Sequence, residues 1–163
     1  DQIYQLIDLY TLFYMQFCHP ASTDTAFWTH QMGKPRQNTW YGLAFERICM
    51  LHIPQIKQQL GIAQIYTEYY SWRSKLSTPA SQIDLLIERA DNLVNLCEIK
   101  YSQAPYSITK EEDMRIRTRI ADFVGETKIR HGVLTTLITT FGLRPNPYSS
   151  IAQVQLTMDD LFV

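Results

Sequence analysis

The sequence has few of the features that mark secreted, membrane-spanning or zinc-binding chains. Its 163 residues include three cysteines, at positions 18, 49 and 97, an odd number without the CxxC spacing of a zinc site. No apolar run reaches the roughly 18 to 20 residues that a membrane-spanning helix needs. Residues 1–33 contain no Lys or Arg, so the basic start of a secretory signal is missing. We therefore expect a cytoplasmic protein without membrane contact.

An excess of charge of one sign is also missing. Fifteen Lys and Arg against sixteen Asp and Glu give a net charge of -1, so the whole chain does not attract polyanions. Hydrophobic residues make up 45%, which is a globular composition. The length suits one domain with a flanking element. Any contact with nucleic acid must use a local patch.

The motifs of several catalytic classes are absent. The sequence has no GxxxxGK[ST] loop, so we expect no nucleotide to bind within this chain. Its four histidines, at positions 19, 30, 52 and 131, lack HExxH spacing, and no GxSxG turn supports a serine nucleophile. We therefore assign the histidines no role in metal binding or catalysis.

The chain divides into an N-terminal helix with a linker, residues 1–37, and a larger α/β part, residues 38–163. Apolar residues recur with helical spacing from Ile3 to Phe17, whereas residues 19–38 are rich in turn-forming types. The helical pattern is already under way at Asp1. We therefore expect this sequence to be a piece of a longer chain.

The larger part is predicted to run helix, three strands, helix, then one or two strands. Its first helix is capped by Asn38 or Thr39 and reaches Gly61, with Pro54 as a point where it kinks or splits. The near-continuous apolar runs at 82–88 and 93–100 predict a hairpin buried on both faces. The other predicted elements are strands at 65–72, 132–141 and 154–162 and a helix at 109–127, capped by Thr109. This order predicts an α/β fold.

Two carboxylates are predicted to meet across that hairpin. The position numbers of Asp84 and Glu98 average 91, the middle of the turn, so the two residues should face each other with Cβ atoms about 4.5 to 5.5 Å apart. Side chains alternate along a strand, so Glu98 and Lys100 should share a face while Ile99 points into the opposite layer. Adjacent carboxylates repel unless a cation or a shared proton relieves them. Magnesium, or manganese, suits such oxygen ligands.

A metal-dependent phosphodiester site is the resulting hypothesis. Its metal ligands are Asp84, Glu98 and the carbonyl of Ile99, and Glu46 is a candidate outer or second-metal carboxylate. Lys100 would orient a water or stabilise negative charge that develops on the phosphate. The alternative is a structural cluster in which Lys and Arg neutralise the carboxylates without metal. Such a triplet also arises by chance in many proteins.

The residues of this site carry a resemblance to a known superfamily. The segment QIDLLIERADNLVNLCEIKYS resembles the hairpin of PD-(D/E)XK nuclease-like proteins, in which Asp84, Glu98 and Lys100 fall on the metal-binding and catalytic positions. Residues 38–163 are similar to the C-terminal region of bacterial AAA-type, archaeal-ATPase-like proteins, through YGLAFERICMLHIPQIKQQLGI, IYTEYYSWRS and LTTLITTFGLRPNPYSS. The resemblance implies a restriction-endonuclease-like mixed central sheet flanked by helices, a metal-dependent nuclease, and an upstream ATPase core as partner.

Contacts with nucleic acid have two candidate sources. Arg115 and Arg119 lie one turn apart on the helix 109–127 and are candidate phosphate contacts, although five acidic residues on that helix favour a solvated face equally. Aromatic residues of the first strand either stack on bases or, as is more common, pack in the sheet: Tyr66, Tyr69, Tyr70 and Trp72. The competing function is a non-catalytic interaction or regulatory module of the ATPase. A homo-oligomer is compatible with either function.

Overall fold

A five-stranded mixed β-sheet with helices on both faces forms the centre of the molecule, as the computed structural model of residues 6–18 and 23–162 shows. The helices are α1 (Leu9–Phe13, followed by a π-helical turn, Tyr14–Cys18), α2 (Phe27–Gln31), α3 (Pro35–Leu51), α4 (Ile53–Gln59) and α5 (Lys110–Thr127). The strands are β1 (Thr67–Arg73), β2 (Gln82–Arg89), β3 (Leu93–Lys100), β4 (Gly132–Thr139) and β5 (Val154–Thr157). Short 3-10 helices lie at Ser149–Ile151 and Asp159–Leu161. The predicted α/β fold with a mixed sheet flanked by helices is confirmed.

The strands lie in the order in which they occur along the chain. β1, β2 and β3 pair antiparallel, β4 is parallel to β3, and β5 is parallel to β4. A parallel neighbour requires a crossover connection, and α5 supplies it between β3 and β4. β3 is therefore the central strand, and six of its eight residues are buried. This agrees with the prediction from its near-continuous apolar run.

The core has one layer on each side of the sheet. On the first side, α3 and α4 pack on β2 and β3 through a cluster that includes Phe45, Cys49, Ile56, Leu85, Ile87, Cys97 and Ile99. On the second side, α5 packs on the same strands through Ile83, Leu86, Val94, Leu96 and Phe123. The predicted helix on each side of the sheet is thus present.

The β2–β3 hairpin has the register that its sequence predicts. Glu88 pairs with Val94 and Leu85 pairs with Cys97, so the position numbers of each pair sum to the same value as those of Asp84 and Glu98. Asn92 ends the turn with φ of 63°, a left-handed conformation that Asn adopts more readily than most residues. Asp84 and Glu98 would be the next pair in this register, but the pairing of β2 with β3 ends at Leu85 and Cys97.

The start of α3 differs from the prediction. The helix begins at Pro35, not after Asn38 or Thr39, and no side chain caps it. Proline is favoured in the first helical turn because its fixed φ suits the helix and its missing N–H would have no partner there. The predicted break before Pro54 is confirmed, since α3 ends at Leu51 and a separate helix follows.

The N-terminal segment is helical over a shorter range than its apolar pattern predicts. α1 starts after Asp8, whose carboxylate accepts a hydrogen bond from the Thr11 N–H; residues 3–5 of the predicted helix lie outside the described part. The predicted linker contains α2. An aromatic cluster joins these pieces to α3, with ring centroids 5.1 to 5.9 Å apart, through Phe13, Phe17, Trp28 and Trp40. Within the described ranges no helix is long and apolar enough to cross a membrane.

Candidate active site

Glu98 is a buried carboxylate held by two cations. Its side chain leaves the C-terminal half of β3, and only 7% of the residue is exposed. Lys100 Nζ lies 2.7 Å from Glu98 Oε1, and Arg119 Nη1 of α5 lies 2.6 Å from Oε2. Burial raises the pKa of Glu98, but the charges of Lys100 and Arg119 outweigh burial, so the pKa lies below its usual value. Glu98 is therefore ionised at neutral pH.

A small cavity lies beside this ion cluster, between β3 and α5. It has a volume of about 10 Å³, near the size that holds one water molecule. Its lining includes Glu98, Lys100 and Arg119, together with Tyr106, whose hydroxyl donates to the carboxylate of Glu112. Burial, together with that hydrogen bond, raises the pKa of Tyr106. As the alternation rule predicts, Glu98 and Lys100 share one face of β3.

Asp84 lies in a larger groove between α3 and β1. This groove has a volume of about 570 Å³, and Glu46 of α3 also lines it. Asp84 Oδ1 accepts a hydrogen bond from Gln82 Nε2 at 2.9 Å. Asp84 and Glu98 thus line separate cavities, although extending the hairpin register by one pair would set them opposite each other.

A β-bulge explains the separation of the two carboxylates. Tyr70 pairs with Leu86 but Trp72 pairs with Ile83, so β2 has one residue more than β1 in this stretch. Ile83 and Leu86 pack on the same side of the sheet, and strict alternation is broken between them. Asp84 lies within that bulge and lines the groove on the side of α3.

Glu46 is electrostatically coupled to the predicted site. Burial raises the pKa of Glu46, the charges of Asp84 and Glu98 raise it further, and the charge of Lys100 lowers it. A charge acts in this way only over a short distance. Of these groups, Asp84 lines the same groove as Glu46, whereas Glu98 and Lys100 line the cavity beside α5.

The donor set fits magnesium in its chemistry, since all the candidate ligands are oxygens. In this conformation both oxygens of Glu98 contact cations, so one of them must exchange its partner before Glu98 can coordinate a metal. Among the described residues, no three His, Cys, Asp or Glu side chains are grouped closely enough to hold an ion. The side chain of Ile99 is buried in the layer opposite Glu98, as predicted. Metal coordination by the Ile99 carbonyl stays a prediction, and so does the binding of a metal ion at this site.

The two arginines singled out in α5 have different surroundings. Arg119 binds Glu98, whereas the side chain of Arg115 is 65% exposed and lies 3.8 Å from Glu112. The alternative of a cluster neutralised by Lys and Arg did not say which arginine takes part, and the structure shows that it is Arg119. The sequence contains a signal for this pairing. Ile116 and Phe123 form the buried face of α5, and Arg119 lies beside that face, at the end of β3.

Comparisons with known proteins add one distant structural overlap. The sequence matches no protein-family model and no curated protein. The fold overlaps the crystal structure of a protein of unknown function, AF1548, with a TM-score of 0.47 and 15% sequence identity over 70% of this chain. The overlap spans 64% of the length of that protein. It assigns no function to this chain.

Proposed function

We propose that this chain is a magnesium-dependent nuclease that hydrolyses phosphodiester bonds of nucleic acid. The observation that carries the proposal is that Asp84 and Glu46 line one groove, while the neighbouring strand β3 carries Glu98 ion-paired with Lys100. Carboxylates that share a groove are common in catalytic sites, because each group shifts the pKa of the others, and the raised pKa of Glu46 agrees with this. The resemblance of the hairpin to PD-(D/E)XK nucleases supports the same function.

Each side chain has a role in this proposal. Asp84 and Glu98 would be the metal ligands, with the Ile99 carbonyl and Glu46 as further oxygen donors. Because Asp84 lines the groove beside α3 and Glu98 lines the cavity beside α5, one of the two carboxylates would have to turn toward the other at the strand ends before both bind one ion. A bound magnesium ion would polarise the phosphodiester and lower the pKa of a bound water. Lys100 would stabilise the negative charge that develops on the phosphate. Arg119 would keep the carboxylate of Glu98 in place while Lys100 turns toward the substrate.

The test is cleavage of labelled single-stranded and double-stranded DNA and of RNA, with magnesium or manganese present. We expect the wild type to cleave at least one substrate and Lys100→Ala to lose at least about 100-fold of the rate. Asp84→Asn should lose activity equally, and it should fold, because Asn can still accept the hydrogen bond from Gln82. Lys57→Ala on α4 is the matched control, since Lys57 lines neither cavity described above. Undetectable cleavage of every substrate with either metal would refute the proposal.

The second candidate function is a non-catalytic module. The ion cluster of Glu98, Lys100 and Arg119 favours it. A Glu98 carboxylate that is already neutralised by Lys100 and Arg119 holds β3 and α5 together without a metal. In this function the chain would bind and regulate the ATPase core implied by the resemblance. Its test is binding to that core in trans and a change in its ATP hydrolysis. No binding and an unchanged rate would eliminate this candidate.

A further inference from the structure

Two grooves meet at the start of β2. We call the groove between α3 and β1 the aromatic groove; it has a volume of about 570 Å³, and its lining includes Tyr69, Tyr70 and Asp84. The arginine groove lies between residues 77–81 and α5, has a volume of about 540 Å³, and includes Arg115 and Arg119 in its lining. Gln82 lines both grooves. They therefore adjoin next to Asp84, at the site of the proposed chemistry.

The described residues leave an apolar wall of the aromatic groove exposed, and Ile7 of the N-terminal segment also lines this groove. Tyr69 is 59% exposed, although it belongs to a strand whose Trp72 packs on Phe123 at a ring distance of 5.5 Å. Leu43 and Met50 of α3 are exposed in the same groove. Among the described elements β1 is an edge strand, so its outer edge pairs with no further strand. A flat, partly polar ring is the kind of group that such a surface would bind.

The arginine groove has the chemistry of a backbone contact. The side chain of Arg115 is largely exposed and has only a distant ion pair with Glu112 at 3.8 Å. Two carboxylates also line this groove, Glu111 and Asp122, and that of Asp122 accepts a hydrogen bond from the Ser81 hydroxyl. Arg115 is therefore the cation of this groove that is best placed to meet a phosphate.

We propose that a single-stranded polynucleotide lies across both grooves, with a base stacked on Tyr69 and its phosphates near Arg115. The path from one groove to the other passes Gln82 and Asp84, so the strand would cross the proposed active site. A duplex keeps its bases stacked inside the helix, where Tyr69 cannot reach them, whereas a single strand exposes the face of every base. This inference rests on the proposed function only for the position of the cleaved phosphate.

The experiment measures binding of fluorescent 20-nucleotide single strands, both DNA and RNA, and of the matching DNA duplex. Fluorescence anisotropy is recorded in magnesium with Lys100→Ala protein, so that cleavage does not consume the probe. Relative to that background, adding Tyr69→Ala should weaken single-strand binding about 10-fold, while adding Tyr69→Phe should keep it. Adding Tyr66→Ala is the matched control, because Tyr66 is 70% exposed but does not line the groove. Adding Arg115→Ala should lower the slope of log affinity against log salt concentration, by the amount that corresponds to about one phosphate contact.

The results separate this inference from the proposed nuclease function. Single-strand binding that depends on Tyr69 supports the inference even if wild-type protein cleaves nothing. Duplex binding as tight as single-strand binding, or equal effects of Tyr69→Ala and Tyr66→Ala, would overturn it even if the protein cleaves DNA. Light scattering that shows a dimer dissociated by Tyr69→Ala, with no nucleotide binding, would also overturn it and assign the groove to a second copy.

Discussion

At the scale of one residue, Glu98 shows how a buried charge becomes tolerable. A carboxylate in a mostly buried strand is costly unless cations and hydrogen bonds compensate its lost hydration. Lys100 supplies one partner from the same strand and Arg119 supplies the other from α5. The ion cluster therefore links the central strand to the helix that covers it.

Replacing Glu98 by Gln should reduce the free energy of unfolding by about 1–3 kcal/mol at neutral pH, because Lys100 and Arg119 lose their common partner. The pKa of Glu98 is lowered in the folded protein, so its stabilising effect is present above the usual value of 4.5 and is lost as the pH falls through the lowered pKa. Urea unfolding at neutral pH and at about pH 3 should show the difference between the proteins shrinking in acid.

A suitable control for this comparison is Glu68→Gln on β1, because Glu68 is an exposed carboxylate. It should change the free energy of unfolding by less than about 0.5 kcal/mol. A difference between wild type and Glu98→Gln that is equal at both pH values would contradict the assigned charge state of Glu98.

Residue patterns predicted part of this site. Alternation along a strand was enough to place Glu98 and Lys100 on one face, since both belong to one regular strand. The position of Asp84 was not predictable in the same way, because the bulge in β2 depends on how β1 pairs with it. The partner of Glu98 on α5 required knowledge of how a helix packs on the sheet.

At the scale of secondary structure, α5 has a strongly specified start. The Thr109 side chain accepts a hydrogen bond from the Glu112 N–H, and the Glu112 side chain accepts one from the Thr109 N–H. This capping box satisfies two backbone donors that the first turn leaves without partners. The cap was predicted from sequence, because its signal lies within four consecutive residues.

Thr109→Ala should reduce the free energy of unfolding by about 1 kcal/mol, because the first turn of α5 loses its side-chain acceptor. Thr118→Ala is the matched control on the same helix. The Thr118 hydroxyl only donates to the Met114 carbonyl, which already belongs to the helix, and it should be nearly neutral. Denaturant unfolding of both variants measures the difference, and equal effects would contradict the role of Thr109.

The start of α3 shows where local signals compete. Asn38 and Thr39 have the side chains of good caps, yet the helix begins earlier, at Pro35. Proline at the first helical position and the packing of Phe45 and Cys49 on the sheet favour the longer helix. Cap preferences amount to about 1 kcal/mol, so tertiary packing can override them.

At the scale of the whole molecule, the sheet is stabilised from both sides. The chain order of helix, three strands, helix and one or two strands was predicted from the apolar patterns of the sequence, and the structure has two strands after α5. The two grooves were not predicted, since they form between elements that are distant along the chain. Both layers must pack for the ends of β2 and β3 to hold their charged side chains.

Phe123→Ala should reduce the free energy of unfolding by about 3–5 kcal/mol, because a fully buried ring that packs on Trp72 leaves a cavity under α5. Phe141→Ala removes the same number of atoms from an exposed position and should cost less than about 1 kcal/mol. Urea unfolding of the two variants provides the measurement. Comparable losses would contradict the assignment of Phe123 to the core.

Calorimetric titration of the purified protein with magnesium or manganese tests the central claim most directly, because the claim is that Asp84 belongs to a divalent-cation site. We expect saturable heat of one site in the wild type, its loss in Asp84→Asn, and its retention in Asp159→Asn, an exposed control outside the two cavities that Asp84 and Glu98 line. Absence of saturable heat in the wild type, or the same heat in Asp84→Asn, would contradict the account.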